Sequence, residues 1–240
     1  MQLEPTASHE PVIARYLECT NPALFRKTHR PLLADHQQWN PFGDSLLSVL
    51  NAREKLSVSA AALFQRFGYA RVSIRDITSS VDIPKGAFYN HFKSKEALAS
   101  AILSRYFDVL LETLTEGGSE TAGTRFRQHF ESLAPSTQEP GESPLLLIST
   151  LSAEGPALPH TLVQQIAEGV RLWSSKVAAL ISLAQAERQI NAEENPDLLA
   201  ALFINCWQGA TIRAKCDPAA PCDCLRLVLD RILRVAPSER

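Results

Sequence analysis

A chain of 240 residues with 45% hydrophobic side chains and a formal net charge of −2 has the make-up of an ordinary globular protein. No run approaches the ~18 consecutive apolar residues that span a bilayer. The opening residues, Met1-Gln2-Leu3-Glu4-Pro5, have neither the basic nor the apolar region of a secretory signal, so a cytoplasmic protein with no membrane partner is expected. The near-neutral sum excludes a surface that coats nucleic acid throughout, but the distribution is uneven. Residues 51–100 hold eight Lys/Arg and four Asp/Glu, a local charge of +4, whereas residues 101–240 hold twelve and seventeen, a local charge of −5. Only the first segment is suited to face phosphate.

Residues 1–45 form an arm punctuated by Pro5, Pro11, Pro22, Pro31 and Pro41, so no long helix fits. Leu24, Phe25, Leu32, Leu33, Trp39 and Phe42 leave open whether the arm lies on the body or is disordered. A true start nearer Val49 is a third reading. From Ser45 the pattern is helical. Leu56, Ala60, Leu63, Phe64 and Phe67 make one apolar face, and Gly68 is expected to end that helix as a left-handed cap. Ser73 caps the next helix with Asp76 as its capping-box partner, and Ile74, Ile77 and Val81 face inward. Pro84 suits the first position of a third helix over 84–92, with Phe88 and Phe92 inward. Ser94 caps a fourth, with Glu96 in its first turn and Gly117-Gly118 as its stop.

Further helices are expected over about Thr124–Leu133, Leu145–Glu154, Thr161–Arg188, Pro196–Lys215 and Cys222–Val235, with a polar loop over Pro135–Pro144. The long Thr161–Arg188 helix carries Leu162, Ile166, Val170, Trp173, Val177, Leu180, Ile181 and Ala184 on one side. No alternating strand of convincing length and no internal repeat occurs. The expected fold is all-α, about nine helices. Its organisation is the arm over 1–45, a small helical domain over 46–98 that holds the basic segment, and a larger helical domain over 99–240.

A recognition helix must pack its back, stay short enough to enter the major groove and leave hydrogen-bonding groups outside. Residues 84–92 meet all three requirements. Phe88 and Phe92 supply the back, and Lys85, Gly86, Ala87, Tyr89, Asn90 and His91 remain outside. Gly86 lets the backbone approach the duplex closely. Tyr89 alone reads equally as a half-buried core aromatic, and Lys93 with Lys95 as a solvated pair; the motif as a whole favours DNA.

The stretch Ala62-Leu63-Phe64-Gln65-Arg66-Phe67-Gly68-Tyr69, then Ser73-Ile74-Arg75-Asp76-Ile77, then Ile83-Pro84-Lys85-Gly86-Ala87-Phe88-Tyr89-Asn90-His91-Phe92-Lys93-Ser94-Lys95-Glu96-Ala97-Leu98 resembles the N-terminal signature of the TetR (tetracycline-repressor-like) family. Leu151-Ser152-Ala153-Glu154 and Trp207-Gln208-Gly209-Ala210-Thr211-Ile212-Arg213-Ala214-Lys215 resemble the ligand-domain pattern of one broad TetR subgroup. The resemblance implies a dimeric transcriptional regulator, usually a repressor, whose effector spreads two DNA-reading heads and releases a palindromic double-stranded operator. It implies that Ser73 caps the second helix beside a phosphate, that Arg75, Lys85 and Asn90 meet bases or phosphates, and that Tyr89, His91 and Lys95 meet phosphates. Ala87 stands where the family often has Ser or Thr; it can touch a thymine methyl but cannot hydrogen-bond. The arm before residue 45 has no counterpart in the family pattern.

A ligand pocket is expected among the later helices. Its candidate walls are Phe107, Leu111, Phe126, Phe130, Leu147, Trp173, Val177, Phe203 and Trp207, with Thr150, Asn205, Gln208 and Arg213 as polar groups. For each aromatic, plain bundle core is the competing reading. The family implies a modest apolar or amphipathic organic effector, no cofactor, and a homodimer through the last two helices, which hold Leu198, Leu202, Leu225, Leu229, Ile232 and Leu233. Cys216, Cys222 and Cys224 cluster between those helices. They give the alternative of a thiol-, electrophile- or metal-responsive regulator, although no C-x₂-C pair occurs and no His lies nearby. A ligand-independent DNA-binding protein of the same fold is a further alternative. The chain carries no phosphate loop, metal-binding His pair, nucleophile elbow or paired carboxylates, so an enzyme is not expected.

Overall fold

A computed structural model describes residues 50–115, 120–133, 144–214 and 223–233. Among them are nine α-helices, one 3₁₀ turn and no strand, in agreement with the all-α expectation. The helices are α1 (Ala52–Phe67), α2 (Ile74–Ser79), α3 (Lys85–Phe88), α4 (Lys95–Thr115), α5 (Ala122–Ser132), α6 (Pro144–Glu154), α7 (His160–Ala186), α8 (Pro196–Ala214) and α9 (Asp223–Leu233). The 3₁₀ turn, Gly155–Ala157, links α6 to α7. The arm over 1–45, the Gly117-Gly118 stop, residues 135–143 of the polar loop, Cys216 and Cys222 lie outside the described residues.

Local chemistry sets the helix starts. Asn51 caps α1 in a full capping box: its Oδ1 accepts from the Glu54 N–H at 3.0 Å, and Glu54 Oε2 accepts from the Asn51 N–H at 2.9 Å. Ser73 and Asp76 form the same box at α2. Ser94 Oγ accepts from the Ala97 N–H at 3.0 Å and opens α4. The α5 start is capped from a distance as well. Glu187 Oε2 and Gln189 Oε1 accept from the N–H groups of Ala122 and Gly123, each at 2.7 Å. Arg188 between them takes φ 60°, which turns the end of α7 back onto α5.

Three sequence expectations are corrected. Gly68 does have positive φ, at 84°, but ψ is 160°, so it is not a left-handed cap; its N–H donates to Phe64 O while the chain leaves in an extended direction. Phe67 is 45% exposed, because the face built by Leu56, Ala60, Leu63 and Phe64 turns away from it. The third helix has four residues rather than nine. After Phe88 the chain tightens into turns closed by Asn90 N–H to Ala87 O and His91 N–H to Phe88 O.

The first three helices and the start of α4 enclose Leu56, Phe64, Ile77, Phe88, Phe92 and Leu98. In the remainder, α7 packs along α8, α4 and α5, and α8 packs along α6. Phe126, Phe130, Trp173, Phe203 and Trp207 are all buried there, with ring centroids 4.8–6.4 Å apart for the touching pairs. The α4–α7 contact is close at Gly169, where an added Cβ would fall inside the van der Waals envelope of the Phe107 ring. Gly169→Ala is expected to lower stability by about 1 kcal/mol, the net of an overpacking cost of ~1–3 kcal/mol and a helix-propensity gain of ~1 kcal/mol. Urea denaturation checks this; pairing the change with Phe107→Leu should recover most of the loss.

Candidate nucleic-acid interface and the core behind it

The helix-turn-helix is fixed from its back. Phe88 and Phe92 are buried with ring centroids 6.0 Å apart, and the Arg53 guanidinium stacks 4.3 Å above the Phe92 ring. Arg53 Nη1 also donates to the His91 carbonyl at 2.8 Å, so α1 holds the residues that follow the recognition helix. The α2–α3 turn is sharp because Asp82 takes φ 52°, a left-handed conformation that Asp tolerates better than most residues. Ile83 N–H donates to Thr78 O across it at 3.0 Å.

On the outside, Arg75, Lys85, Gly86, Tyr89 and Asn90 are exposed, Tyr89 by 53%. Tyr89 leans edge-on against Phe88 with centroids 5.4 Å apart, which aims an otherwise solvated ring. A Cβ at Gly86 would meet nothing within 4 Å, so protein packing does not require glycine there. Ala87 and His91 are half-buried at the flanks. Ser73 Oγ accepts from the Asp76 N–H at 3.2 Å, which leaves its hydroxyl hydrogen to donate outward. The reciprocal bond, Ser73 N–H to Asp76 Oδ2 at 2.8 Å, holds the Asp76 carboxyl below its ordinary range.

Lys95, expected at a phosphate, turns inward instead. Its Nζ donates to the carbonyls of Tyr69 at 2.9 Å and Val72 at 2.8 Å and sits 4.0 Å over the Tyr69 ring. Burial lowers its pKa, with the Glu154 carboxylate acting in the opposite direction. Burial first, then Glu96 and Glu154, raise that of Tyr69. The structural roles of Arg53 and Lys95 have no local sequence signal, because their partners Phe92 and Tyr69 lie far along the chain.

The candidate ligand residues fall into two groups. Phe107, Phe126, Phe130, Leu147, Thr150, Trp173, Val177, Phe203 and Trp207 are buried, and Gln208 is half-buried. Asn205 and Arg213 are exposed; Asn205 lies two positions from Phe203, on the other side of α8. At the centre of the buried group is a residue not singled out from sequence, His129. Trp173 Nε1–H donates to its Nε2 at 2.9 Å, which makes Nε2 the acceptor and puts the ring proton on Nδ1. Nδ1–H then donates to Thr113 Oγ1 at 2.8 Å, and that hydroxyl donates to Leu110 O at 2.8 Å. The chain of bonds is complete, and it joins α4, α5 and α7. Its sequence signal was available: Ala122, Phe126, His129, Phe130 and Leu133 share one face of α5, and all are buried.

A small basic head, backed by aromatics and presenting Lys85, Gly86, Tyr89 and Asn90 on a short helix after a tight turn, defines a helix-turn-helix DNA-binding protein. The family description "Bacterial regulatory proteins, tetR family" matches residues 57–102, and "Tetracyclin repressor-like, C-terminal domain" matches residues 147–226. The chain belongs to the TetR family of transcriptional regulators. It is 30% identical over 166 residues to the HTH-type transcriptional repressor DhaR of Mycobacterium sp. strain GP1, covering 68% of this chain and 82% of that protein. It is 30% identical over 151 residues to the transcriptional regulator AcuR of Cereibacter sphaeroides, covering 62% and 69%. Among solved structures, reduced Escherichia coli NemR superposes with a TM-score of 0.66 at 22% identity, covering 78% of this chain and all (100%) of that one. A TetR regulatory protein from Rhodobacter sphaeroides superposes with a TM-score of 0.63 at 26% identity, covering 75% and 95%.

Burial lowers the His129 pKa from an ordinary 6.5 to about 3. The unfolded chain therefore binds the extra proton first as pH falls, so the stability from a neutral His129 is present above pH 6.5 and is lost towards pH 3. Between pH 7 and pH 5 this loss amounts to about 2 kcal/mol at ~1.4 kcal/mol per pH unit. Urea denaturation at both pH values is expected to show that excess drop in the wild type but not in His129→Gln.

Proposed function

We propose that the chain is a homodimeric repressor that binds a palindromic operator through two heads and leaves it when a small organic molecule enters the body. In this reading, residues 46–98 are the reading head and residues 99–240 the effector and dimer portion. The observation that carries the reading is the outward set Arg75, Lys85, Gly86, Tyr89 and Asn90 over the buried Phe88 and Phe92. The similarity to the repressors DhaR and NemR supports the sign of regulation. Lys85→Ala should weaken operator binding by ~1–3 kcal/mol if Lys85 reads a base, or reduce the salt slope by about 1 if it meets phosphate. Fluorescence anisotropy over a salt series, on a duplex selected from random DNA by the wild-type protein, separates the two.

A dimer is supported by one stripe on α8. Leu198, Leu202, Asn205, Gly209 and Ile212 recur at three- and four-residue spacing and are all exposed, Leu198 by 71% and Leu202 by 45%. Leu227 of α9 is exposed too. The exposure of Asn205 supports a place on the dimer face rather than at a ligand. Leu198→Glu with Leu202→Glu should shift sedimentation from dimer to monomer and cost at least tenfold (~1.4 kcal/mol) in operator affinity, since two half-sites are no longer bound together.

An effector is supported by two polar atoms in the body, Trp207 Nε1 and Ser149 Oγ, which are buried without a hydrogen-bond partner among the described residues. A buried donor left unmet costs ~1–3 kcal/mol, so a ligand that accepts from it gains that much. The expected effector is an organic molecule with an apolar portion for the Phe130 and Phe203 rings and an acceptor oxygen. In a thermal-shift screen, such a molecule raises the melting temperature of the wild type more than that of Trp207→Phe.

A further inference from the structure

The loop Gly68–Val72 joins α1 to α2 and is held by side chains from two other helices. Glu154, the last residue of α6, accepts with Oε1 from the Tyr69 N–H at 2.5 Å and with Oε2 from the Ala70 N–H at 2.9 Å. Lys95, the first residue of α4, holds the carbonyls of Tyr69 and Val72. Tyr69 thus has its amide and its carbonyl gripped from opposite sides. The grip needs Gly68. Its φ of 84° with ψ of 160° is closed to side chains, and a Cβ there would collide with the Glu154 carboxylate. The loop ends at Ser73, the cap of α2, only three residues beyond Ala70.

Helix α1 also packs along α6, so apolar contact brings head and body together, and polar fastenings fix the angle between them. Thr161 Oγ1 donates to Glu96 Oε1 between α7 and α4. Gln165 Nε2 donates to Ser100 O and Ser104 Oγ, but both lie on α4, which already runs from head to body. Glu154 differs from these. It is charged, half-buried and bidentate, and it reaches backbone of the reading head from a helix that belongs to the body. That helix also carries Leu147, Ser149 and Thr150, all of them buried.

We propose that Glu154 is a positioning residue: its carboxylate latches the α1–α2 loop to the end of α6, so that the angle of the DNA-reading head is set by the position of α6. The proposal rests on the operator-binding reading above. With the latch closed, the head is held in one orientation and Ser73 and Arg75 are presented together. With it open, the head samples several orientations, and the fraction competent for both half-sites falls. An effector that displaces the C-terminal end of α6 pulls the carboxylate from the two amides. Part of the free energy that links the two sites then passes through two hydrogen bonds whose partners are known.

The test compares wild type, Glu154→Gln and Glu154→Ala as full-length protein. Gln preserves the shape but cannot accept from both amides with charge; Ala removes the contact. Anisotropy is read on the duplex selected by the wild-type protein, with melting temperature and amide hydrogen exchange measured on the same samples. The expected result is operator affinity lower by roughly 5- to 150-fold in Ala, the span usual for coupled sites, and a smaller loss in Gln. Exchange at the Tyr69 and Ala70 amides should quicken in both, and the salt slope should stay unchanged because no phosphate contact is removed. Affinity within about twofold of wild type in both variants, or equal exchange at the two amides, overturns the latch. If Ala unfolds, Gln alone decides on the same readings. Failure of the wild-type protein to select any DNA sequence sinks the operator reading itself, an outcome separate from that of the variants.

Discussion

The burial of Phe88 and Phe92 is the contact on which the reading surface depends. The two rings lie four residues apart along a helical turn and share one buried cluster with Leu56, Phe64, Ile77 and Leu98. Each contributes ~1.5–3 kcal/mol of transfer free energy. Once both face inward, Lys85, Gly86, Tyr89 and Asn90 have no direction left but outward. The recognition segment can therefore be a single helical turn. A helix that short has no stability of its own and persists only because its back is packed. Arg53 completes the arrangement by stacking on Phe92 and holding the His91 carbonyl, which fixes the chain just after the turn.

Much of this was legible because the signals are local. Ser73 with Asp76, Ser94 with Ala97, and the apolar spacing of α1 and α7 involve residues within a turn or two of each other. The helix spans agreed within a few residues for the same reason. What escaped is non-local. The four-residue length of α3 follows from how the chain must tighten to bury Phe92, not from the propensity of Tyr89, Asn90 or His91. Phe67 fits the period of α1 but falls where that helix has no neighbour. Gly68 reads as a helix stop, and it is one; its actual φ and ψ are set by Glu154, which lies 86 positions later in the sequence.

His129 shows the same limit in the body. Its position on the apolar face of α5 is visible in the sequence, but the partners that make burial affordable, Thr113 and Trp173, come from α4 and α7. Unpaired, the imidazole would be a defect in an aromatic core; paired at both nitrogens, it fixes the register of three helices. A neutral ring with one donor and one acceptor is satisfied by one hydroxyl and one indole N–H, and a second proton would leave the Trp173 N–H facing another donor. The network thus specifies packing more narrowly than apolar contacts of the same size do. In contrast, the indole of Trp207 borders the same rings with no hydrogen-bond partner among the described residues, so a satisfied and an unsatisfied polar group adjoin each other in one aromatic core.

Two features of the head narrow how it can discriminate DNA sequences. Lys95 is drawn towards the Tyr69 and Val72 carbonyls, so two of its three N–H donors are spent within the protein. Ala87 is half-buried and has no polar atom beyond its backbone. Of the exposed side chains Arg75, Lys85, Tyr89 and Asn90, the first, second and fourth match base-edge patterns well. Ser73 keeps a hydroxyl hydrogen free to donate because its oxygen is occupied as a cap, and a phosphate contact of that kind would fix register, not sequence. A head with few base contacts gains discrimination when its orientation is fixed, because each contact then tests one position of the duplex rather than several. Fastening the loop before Ser73 at both its amides and its carbonyls serves that need, and an apolar side chain at position 154 would leave the Tyr69 and Ala70 amides without that acceptor.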